Sequence, residues 1–250
     1  MKILIGHTGF VGSTLKREFS YDLLFNSSNM DGLANLPDGC EIHLACLPAK
    51  KWVADANNSD DLSVVTSIFS KIRGRRYATV CLISTIDVYC HSPAGADEDH
   101  APGFHFAGYG HNRRLFELLC STLSCERLIV ARLPALFGRG LKKNLLYDLM
   151  NGHRVEFVNR NSRYQWYDME DLGADISEIL KSSQQSRTVN LFTEPIGTRE
   201  MMESVFGIVC GSEGARVDYD FRTKHSASGY IRGRDEMLEK LRRFVASNSF

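Results

Sequence analysis

Three glycines near the N-terminus have the spacing of a phosphate-binding turn. Gly6, Gly9 and Gly12 follow a short apolar run and precede apolar residues at helical spacing. In such a turn the first glycine permits the bend, the second lets the backbone approach a pyrophosphate, and the third allows close helix–strand packing. The N–H groups of the helix N-terminus then bind the phosphates. The turn predicts dinucleotide binding, with a purely structural glycine turn as the alternative. The residues predicted to contact the dinucleotide here are Gly6, Thr8, Gly9, Phe10, Val11 and Gly12.

The loop after the second predicted strand bears on which dinucleotide fits. In NAD-specific members of such folds an acidic residue ends this strand and binds the ribose hydroxyls. Here Phe25 is followed by Asn26, Ser27, Ser28 and Asn29. Because neutral donors tolerate a 2′-phosphate without charge repulsion, Asn26, Ser27 and Ser28 favour NADP(H) over NAD(H), although the loop contains no Arg or Lys. The alternative is that Asn26 and Ser27 are ordinary turn residues.

The elements that would position these residues predict a Rossmann-type α/β fold, a doubly wound parallel sheet. Apolar runs alternate with segments of helical periodicity, which implies crossover units. Only Met30–Gly39 separates the second strand from the third, too little for a crossover helix plus a strand, so the adenine side is expected to be reduced. The predicted strands are Lys2–Ile5, Leu23–Phe25, Ile42–Cys46, Val80–Ile83 and Leu128–Ala131, and the predicted helices are Phe10–Phe19, Asp60–Arg73 and Ala107–Leu123.

After Pro134 short strand-like pieces mix with helices. We predict a dinucleotide-binding domain over residues 1–135, with returning segments, and a small C-terminal α+β lobe over residues 136–250 that mostly binds substrate. The predicted strands of the second part are Arg154–Val158, Val189–Phe192 and Arg216–Tyr219, and its predicted helices are Leu141–Asn151, Leu172–Ser182, Thr198–Phe206 and Arg234–Ala246.

Composition argues against several function classes. Thirty Lys and Arg balance thirty Asp and Glu, which speaks against a nucleic-acid or anionic-membrane partner. No apolar run approaches the ~20 residues of a membrane span, and the apolar N-terminal stretch is too short for a signal peptide. The seven cysteines form no C-x-x-C pair, so we expect free thiols in a reducing cytoplasm. No metal is predicted, because His100, His105 and His111 lack metal-ligand spacing.

Four motifs carry a family resemblance. Ser84–Tyr89 matches S-[ST]-x-x-V-Y, Tyr109–Arg113 matches Y-x-x-x-K except at its last position, Arg132–Gly138 matches R-x-x-x-x-[FY]-G, and Trp166–Leu172 is similar to F-x-x-V-x-D-L. In this order the sequence resembles the extended short-chain dehydrogenase/reductase superfamily, in its NAD(P)-dependent sugar-nucleotide epimerase/dehydratase branch. The likeness covers roughly residues 1–210.

The resemblance implies roles for individual residues. Tyr109 would be the general acid/base, and Thr85 would hydrogen-bond the substrate oxygen that gains or loses the proton. A free tyrosine has a pKa near 10, so a fixed cation helps it to accept a proton at neutral pH. At ~4 Å and an effective dielectric of 20, a unit charge contributes about 4 kcal/mol, roughly three pKa units. The residues that the resemblance places against the cofactor, beyond the glycine turn, are Ala45, Leu47, Pro48, Tyr109, Arg113 and Leu133.

Two positions depart from the family pattern. The i, i+4 spacing puts Tyr109 and Arg113 on one helix face, but a planar guanidinium that cannot give up a proton replaces a compact ammonium. Ile86 stands where dehydratase members carry the first of two carboxylates, and Asp87 could fill only the second place, so dehydration is disfavoured. The alternative is that Tyr109 and Arg113 are ordinary residues of a helix surface.

Six residues are candidates for binding a small, phosphate-containing substrate. Lys50 follows the third strand at the edge where open sheets bind ligands. Cationic side chains further along the chain suit a diphosphate, with solvent-exposed basic residues as the alternative. The candidates are Lys50, Asp87, Lys143, Asn144, Arg222 and Lys224.

These residues together predict an NAD(P)(H)-dependent oxidoreductase or epimerase that acts on a sugar nucleotide or related polyol. Two alternatives stay open. Arg113 favours a cofactor-binding sensor or scaffold with little catalysis, and the short C-terminal half favours a reductase of a small non-nucleotide carbonyl compound. A homodimer through the helix that contains Tyr109 is also possible. The apolar residues that could form its contact face, or equally an internal core, are Leu115, Phe116, Leu118 and Leu119.

Overall fold

The computed structural model describes residues 1–103, 108–182 and 185–248. The predicted helix start at Ala107, and His105, lie outside these residues. The chain divides into two compact units. The first comprises Met1–Ser92, Ala101–Arg132 and Asp171–Val189, and the second comprises Pro93–His100, Leu133–Glu170 and Asn190–Phe250.

The elements follow one another along the chain in this way. The strands are β1 (Lys2–Ile5), β2 (Leu23–Phe25), β3 (Cys40–Leu44), β4 (Arg76–Thr85), β5 (Ser124–Leu133), β6 (Ala135–Phe137), β7 (Arg163–Tyr164), β8 (Trp166–Asp168), β9 (Arg187–Asn190) and β10 (Ile196–Gly197). The α-helices are α1 (Phe10–Glu18), α2 (Lys51–Ala56), α3 (Asn58–Ile72), α4 (Tyr109–Ser121), α5 (Leu145–Asn151), α6 (Leu172–Ser182), α7 (Thr198–Met201) and α8 (Arg234–Asn248).

The first unit is built on a six-stranded sheet with the strand order β2-β1-β3-β4-β5-β9. β1 pairs in parallel with β2 and β3, and β3 pairs in parallel with β4. Ile3, Leu4 and Ile5 have no exposed surface, as expected of a central strand that is covered on both faces. β2 lies on one side of β1, and β3, the next strand along the chain, lies on the other side. A switch point therefore lies between β1 and β3, where such sheets bind ligands. The predicted doubly wound Rossmann-type fold is confirmed.

The sheet is short on the side of β2, as the Met30–Gly39 spacing predicts. The chain passes from β2 through the 3-10 helix Met30–Asn35 directly into β3. Within the described residues β2 is therefore an edge strand. Leu33 of the 3-10 helix is fully buried in the apolar core.

The second unit has small sheets and its own core. β7 pairs antiparallel with β10, and β6 pairs in parallel with β8. α7 continues into a single π-helical turn, Met202–Phe206. The core of this unit contains Phe137, Trp166, Ile196, Met201 and Leu241, all at most 1% exposed.

Two predicted strands of the second unit are wrong. Arg154 has a φ of +52°, and the chain after it closes into the 3-10 helix Val155–Phe157 with Phe157 75% exposed. A left-handed residue turns the backbone, so Arg154–Val158 does not start as a strand. In Arg216–Tyr219 pairing is limited to a single bridge between Asp218 and Arg163. The other predicted elements form with shifted ends, and α5 begins at Leu145 instead of Leu141.

Candidate active site

The glycine turn follows β1 and packs against the carboxyl end of β3. Gly6 has a φ of +93°, and a Cβ there would lie 2.1 Å from the carbonyl oxygen of Ala45. A Cβ at Gly12 would lie 2.0 Å from the carbonyl oxygen of Gly6. The packing of the protein itself therefore requires glycine at positions 6 and 12.

Gly9 has no such internal reason to be glycine. A Cβ at this position would meet the Gly6 carbonyl oxygen at 3.5 Å, an ordinary contact, and its φ of −74° suits any residue. Gly9 is the N-cap of α1, where no side chain caps the helix and the first turn has no acidic residue. The first N–H groups of a helix have no partner within it. This glycine-lined helix end fits a phosphate of a dinucleotide.

The loop after β2 is bonded largely to itself. The side-chain oxygen of Asn26 accepts hydrogen bonds from the Ser28 N–H (2.9 Å) and the Ser28 hydroxyl (2.6 Å). Asn29 accepts from the Asn26 N–H at 2.7 Å. The loop stands beside the glycine turn, because the Gly6 N–H donates to the Phe25 carbonyl at 2.7 Å. In this arrangement Asn26 and Ser28 act as turn residues, and the preference for NADP(H) stays a prediction.

Residues of α2 and α3 fix the start of α4. Gly108 has a φ of +139°, and its N–H donates to the side chain of Asn58 at 2.8 Å. The N–H of Tyr109 donates to the carboxylate of Asp55 at 2.8 Å. Because a Cβ at Gly110 would lie 2.2 Å from the carbonyl oxygen of Asp87, α4 packs directly on the segment after β4. Tyr109 and Thr85, which lies two residues before Asp87, are thereby brought to one end of the sheet.

Arg113 is buried and bonded to groups from two other segments. Its guanidinium donates to both carboxylate oxygens of Asp61, at 2.7 and 2.9 Å, and to the carbonyl of Pro48 at 2.5 Å. The side chains of Arg113 and Asp61 are 4% and 5% exposed. The guanidinium carbon lies 4.3 Å from the centre of the Tyr109 ring. Arg113 and Asp61 therefore form a buried ion pair. The sequence motifs did not predict Asp61 as part of the site.

The phenol of Tyr109 is held protonated. Burial raises its pKa above the ordinary value, and this outweighs the opposing effect of Arg113, while Asp87 and Asp61 raise the pKa further. The predicted lowering by a fixed cation is thus not the net result. The physical reason is the burial of the phenol, to which the carboxylates of Asp87 and then Asp61 add.

Thr85, Asp87 and Lys51 form a second polar group beside Tyr109. The Thr85 hydroxyl donates to the Asp87 carboxylate at 3.1 Å and accepts from the Asp87 N–H at 3.2 Å, which caps the 3-10 helix Ile86–Tyr89. Lys51 donates to the other Asp87 oxygen at 2.6 Å. Burial lowers the pKa of Lys51, but Asp87 raises it more, so the net shift is upward.

The predicted substrate residue Lys50 lies next to this group. It is exposed and serves as the N-cap of α2, while Lys51 contacts Asp87. The sequence alone could not tell which lysine of the pair points toward Asp87, because that depends on where α2 begins. Among the cofactor candidates, Pro48 bonds Arg113 through its carbonyl, Leu47 packs against the core, and Leu133 is 2% exposed at the end of β5.

Glu117 accepts hydrogen bonds from Ser84 and Arg132, two motif residues to which the resemblance gives no role. Its carboxylate accepts from Ser84 (2.6 Å), Arg114 (2.9 Å) and Arg132 (2.8 and 2.9 Å). Arg132 also donates to the Tyr89 hydroxyl at 2.5 Å. Burial would raise the pKa of Glu117, but Arg132 and then Ser84 and Arg114 lower it below its usual value. We call these residues the Glu117 network; it ties α4 to β5 and to the end of β4.

The substrate candidates of the second unit have partners within that unit. The side chain of Asn144 accepts from the Tyr147 N–H at 3.1 Å and donates to the Leu136 carbonyl at 2.8 Å, whereas Lys143 is exposed. The contact of Asn144 with substrate stays a prediction, because its amide oxygen already caps α5 and its amide nitrogen already bonds β6.

The predicted basic cluster near the C-terminus is matched by acidic side chains. Lys224 pairs with Asp99, and Arg222 lies 4.0 Å from Asp220 and stacks on Tyr230. The buried carboxylate of Glu98 accepts from the Lys224 N–H at 2.8 Å and from the Thr223 hydroxyl at 2.7 Å. The cluster is therefore not a surplus of positive charge, and its contact with a phosphate stays a prediction.

The described residues contain neither a metal-binding cluster nor a membrane-spanning helix. There, no group of three or more His, Cys, Asp or Glu side chains could hold a metal ion. No helix in the same residues has the length and apolar character needed to cross a membrane.

Comparison with solved structures identifies the fold. The chain is similar to MoeE5 in complex with UDP-glucuronic acid and NAD, with a TM-score of 0.78 and 15% identity over 98% of this chain and 97% of that one. It is similar to dTDP-4-dehydrorhamnose reductase from Bacillus anthracis with NADP (TM-score 0.76, 18% identity, 99% and 98% covered). The chain has the fold of these proteins. A UDP-N-acetylglucosamine 4-epimerase from Methanobrevibacter ruminantium, in complex with UDP-N-acetylmuramic acid, is also similar (TM-score 0.75, 12% identity, 98% and 96% covered).

Comparisons of sequence give no match. No protein-family model matches the chain, and no curated protein sequence matches it. At identities of 12 to 18% the structural likeness establishes the fold, and the activity must be argued from the site.

Proposed function

We propose that the protein is an NAD(P)(H)-dependent oxidoreductase or epimerase of the extended short-chain dehydrogenase/reductase type, acting on a sugar nucleotide or related polyol. The observation that carries this proposal is the packing of Gly110 on the Asp87 carbonyl. It brings Tyr109 and Thr85 to the same carboxyl edge of the sheet as the glycine turn. The fold that the chain shares with nucleotide-sugar enzymes agrees with this assignment.

The residues for the cofactor lie on one edge of the sheet. The N-terminus of α1 with Gly9 would bind the pyrophosphate, and the loop Asn26–Ser28 would approach the adenine ribose, because it adjoins Gly6. Asn26 and Ser28 carry no charge, so we propose that they tolerate a 2′-phosphate. A bound nicotinamide would supply or accept the hydride.

Tyr109 would transfer the proton. Its phenol exchanges a proton with the substrate oxygen, and the Thr85 hydroxyl donates a hydrogen bond to that oxygen after giving up its 3.1 Å bond to Asp87. Lys51 contacts Asp87 at 2.6 Å, on the carboxylate that also accepts from Thr85, and would orient a substrate hydroxyl or phosphate there. A protonated phenol suits donation to a carbonyl oxygen, whereas removal of a hydroxyl proton needs the phenolate.

A cofactor-binding sensor with little catalysis is the second candidate. The pairing of Arg113 with Asp61 favours it, because a guanidinium paired with a carboxylate promotes ionisation of Tyr109 less than an unpaired cation would. Replacing Arg113 by Lys separates the two candidates. A large gain in turnover would show that the native site is not built for catalysis, and a loss would show that arginine belongs to a working mechanism.

The test begins with mass spectrometry of the natively purified protein, to identify a copurified dinucleotide. The protein is then assayed against UDP- and dTDP-sugars with NAD(H) and NADP(H), alongside the Tyr109→Phe variant. We expect Tyr109→Phe to bind cofactor as the native protein does and to lose about 10²- to 10⁴-fold in turnover. Turnover that Tyr109→Phe leaves unchanged would refute the role of the phenol.

A further inference from the structure

Asp61 occupies a position from which it governs the charge next to the phenol. Its two carboxylate oxygens take both terminal nitrogens of Arg113, at 2.7 and 2.9 Å, and both side chains are about 95% buried. Asn112 donates to the same carboxylate at 2.8 Å, which holds it in this orientation. A bidentate pair with such little exposure is fixed in geometry and has no net charge.

The pair lies against the ring of Tyr109. The guanidinium carbon of Arg113 is 4.3 Å from the ring centre, a distance at which an uncompensated unit charge would have a large effect on the phenol. The other charged groups near Tyr109 are Asp87, which raises its pKa and pairs with Lys51, and Asp55, whose carboxylate accepts the Tyr109 N–H. Asp61 is the carboxylate that pairs directly with Arg113, so it sets how much of the guanidinium charge acts on the Tyr109 ring.

We propose that Asp61 is a positioning residue that compensates the charge of Arg113 and, together with the burial of the phenol, keeps Tyr109 protonated as the proton donor in carbonyl reduction. The inference rests on the proposed function for the transfer step alone. In that step a hydride from a reduced nicotinamide dinucleotide, which is thereby oxidised, forms a C–H bond at the carbonyl carbon. The Tyr109 proton forms the O–H bond. The substrate becomes an alcohol, and the phenolate that remains takes a proton from water.

The experiment measures ionisation of Tyr109 directly. The protein is labelled with tyrosine enriched in ¹³C at Cζ, and its NMR signals are followed as a function of pH, with Tyr109→Phe identifying the signal of Tyr109. In the native protein this signal should remain that of the phenol beyond pH ~10, where free tyrosine ionises. In Asp61→Asn, where Arg113 is uncompensated, the midpoint should fall by at least about one pH unit.

Two variants separate this effect from general damage. Asp60→Asn removes the same charge from the adjacent, exposed position of α3 and should leave the Tyr109 midpoint unchanged. The double variant Asp61→Asn/Arg113→Gln removes both charges and should restore the high midpoint. Because it leaves no buried uncompensated charge, it can also be measured if Asp61→Asn alone does not fold. The titration needs neither cofactor nor substrate, so its outcome is independent of whether an activity is found.

Three results would overturn the proposal. One is a Tyr109 signal that ionises in the native protein at or below the pH of free tyrosine. Another is a folded Asp61→Asn protein with the native midpoint. The third is a low midpoint in the double variant, since no cation would then remain at position 113 to account for it.

Discussion

The chemistry of Arg113 depends on the partner that the fold gives it. The i, i+4 spacing correctly places Arg113 beside Tyr109, and the structure confirms their contact at 4.3 Å. The carboxylate that compensates the guanidinium is 52 positions earlier in the chain, on α3. Arg113 lowers the pKa of Tyr109 as expected, but burial of the phenol outweighs it, so the net shift is upward. A sequence pattern within one helix gives no information about that burial or about a partner on another helix.

The three glycines of the turn differ in whether the packing of the protein requires them. Gly6 and Gly12 are required by contacts of about 2 Å with neighbouring carbonyls, whereas Gly9 would accept a methyl group without a clash. The second glycine of such turns lets the backbone approach a pyrophosphate. We therefore propose that a bound pyrophosphate, and not the packing of the protein, accounts for the glycine at position 9.

Replacing Gly9 by Ala should weaken cofactor binding and leave the protein folded. We expect the dissociation constant for NADP(H) or NAD(H) to rise by about tenfold or more, because the methyl group keeps the phosphate from the helix N-terminus, and the free energy of unfolding to change by less than about 1 kcal/mol. Calorimetric titration and thermal unfolding measure the two quantities.

Matched glycine variants complete that test. Gly74→Ala should change neither quantity, because a Cβ there meets nothing within 4 Å, while Gly12→Ala should destabilise the protein itself. If Gly9→Ala binds the dinucleotide as tightly as the native protein, the glycine turn is structural and does not bind the pyrophosphate.

At the scale of elements, the Glu117 network explains why motif residues far apart in the chain occur together. Ser84 lies near the end of β4, Glu117 lies in α4, and Arg132 lies near the end of β5. One buried carboxylate thereby fixes how α4 lies against the end of β4, and with it where Tyr109 stands relative to Thr85. The resemblance named Ser84 and Arg132 as motif members, but their partner Glu117 became evident only from the packing of α4.

Replacing Glu117 by Gln should destabilise the protein by about 3 kcal/mol or more, because Arg132 is left as a buried, uncompensated cation. The control is Glu126→Gln on β5, whose pair with Arg76 is about two-thirds exposed; it should change the unfolding free energy by less than about 1 kcal/mol. Denaturant unfolding at neutral pH measures both. Equal effects of the two substitutions would contradict a special role for the network.

The stability contributed by Glu117 should also depend on pH. Its pKa is lower in the folded protein than in the unfolded chain, so the unfolded state binds the proton more readily. The contribution is complete above the unfolded value, about 4.3, and is lost as the pH falls through the folded value. We expect the difference in unfolding free energy between the native protein and Glu117→Gln to shrink below pH ~4. A difference that grows in acid would contradict the assigned ion pair.

At the scale of the whole molecule, the sequence predicts the first unit better than the second. Buried parallel strands and amphipathic helices have periodic patterns, and β1, β2, α3 and α6 form within two residues of their predicted bounds. In the second unit the strands have two or three residues, and a left-handed residue at Arg154 precedes a 3-10 helix where a strand was predicted. Short elements depend on tertiary contacts, which cannot be predicted from the periodicity of apolar residues.

The effect of uridine diphosphate on the melting temperature distinguishes the two classes of substrate. If the protein binds a sugar nucleotide, uridine diphosphate should raise the melting temperature in the presence of saturating NADP⁺, because a ligand of the folded state alone stabilises it by mass action. At a hundredfold excess over its dissociation constant the gain is about 2.7 kcal/mol, or roughly 5 to 10 °C for a chain of this size. Inorganic pyrophosphate at equal concentration controls for general anion binding. A melting temperature that uridine diphosphate leaves unchanged would instead favour a small non-nucleotide carbonyl substrate.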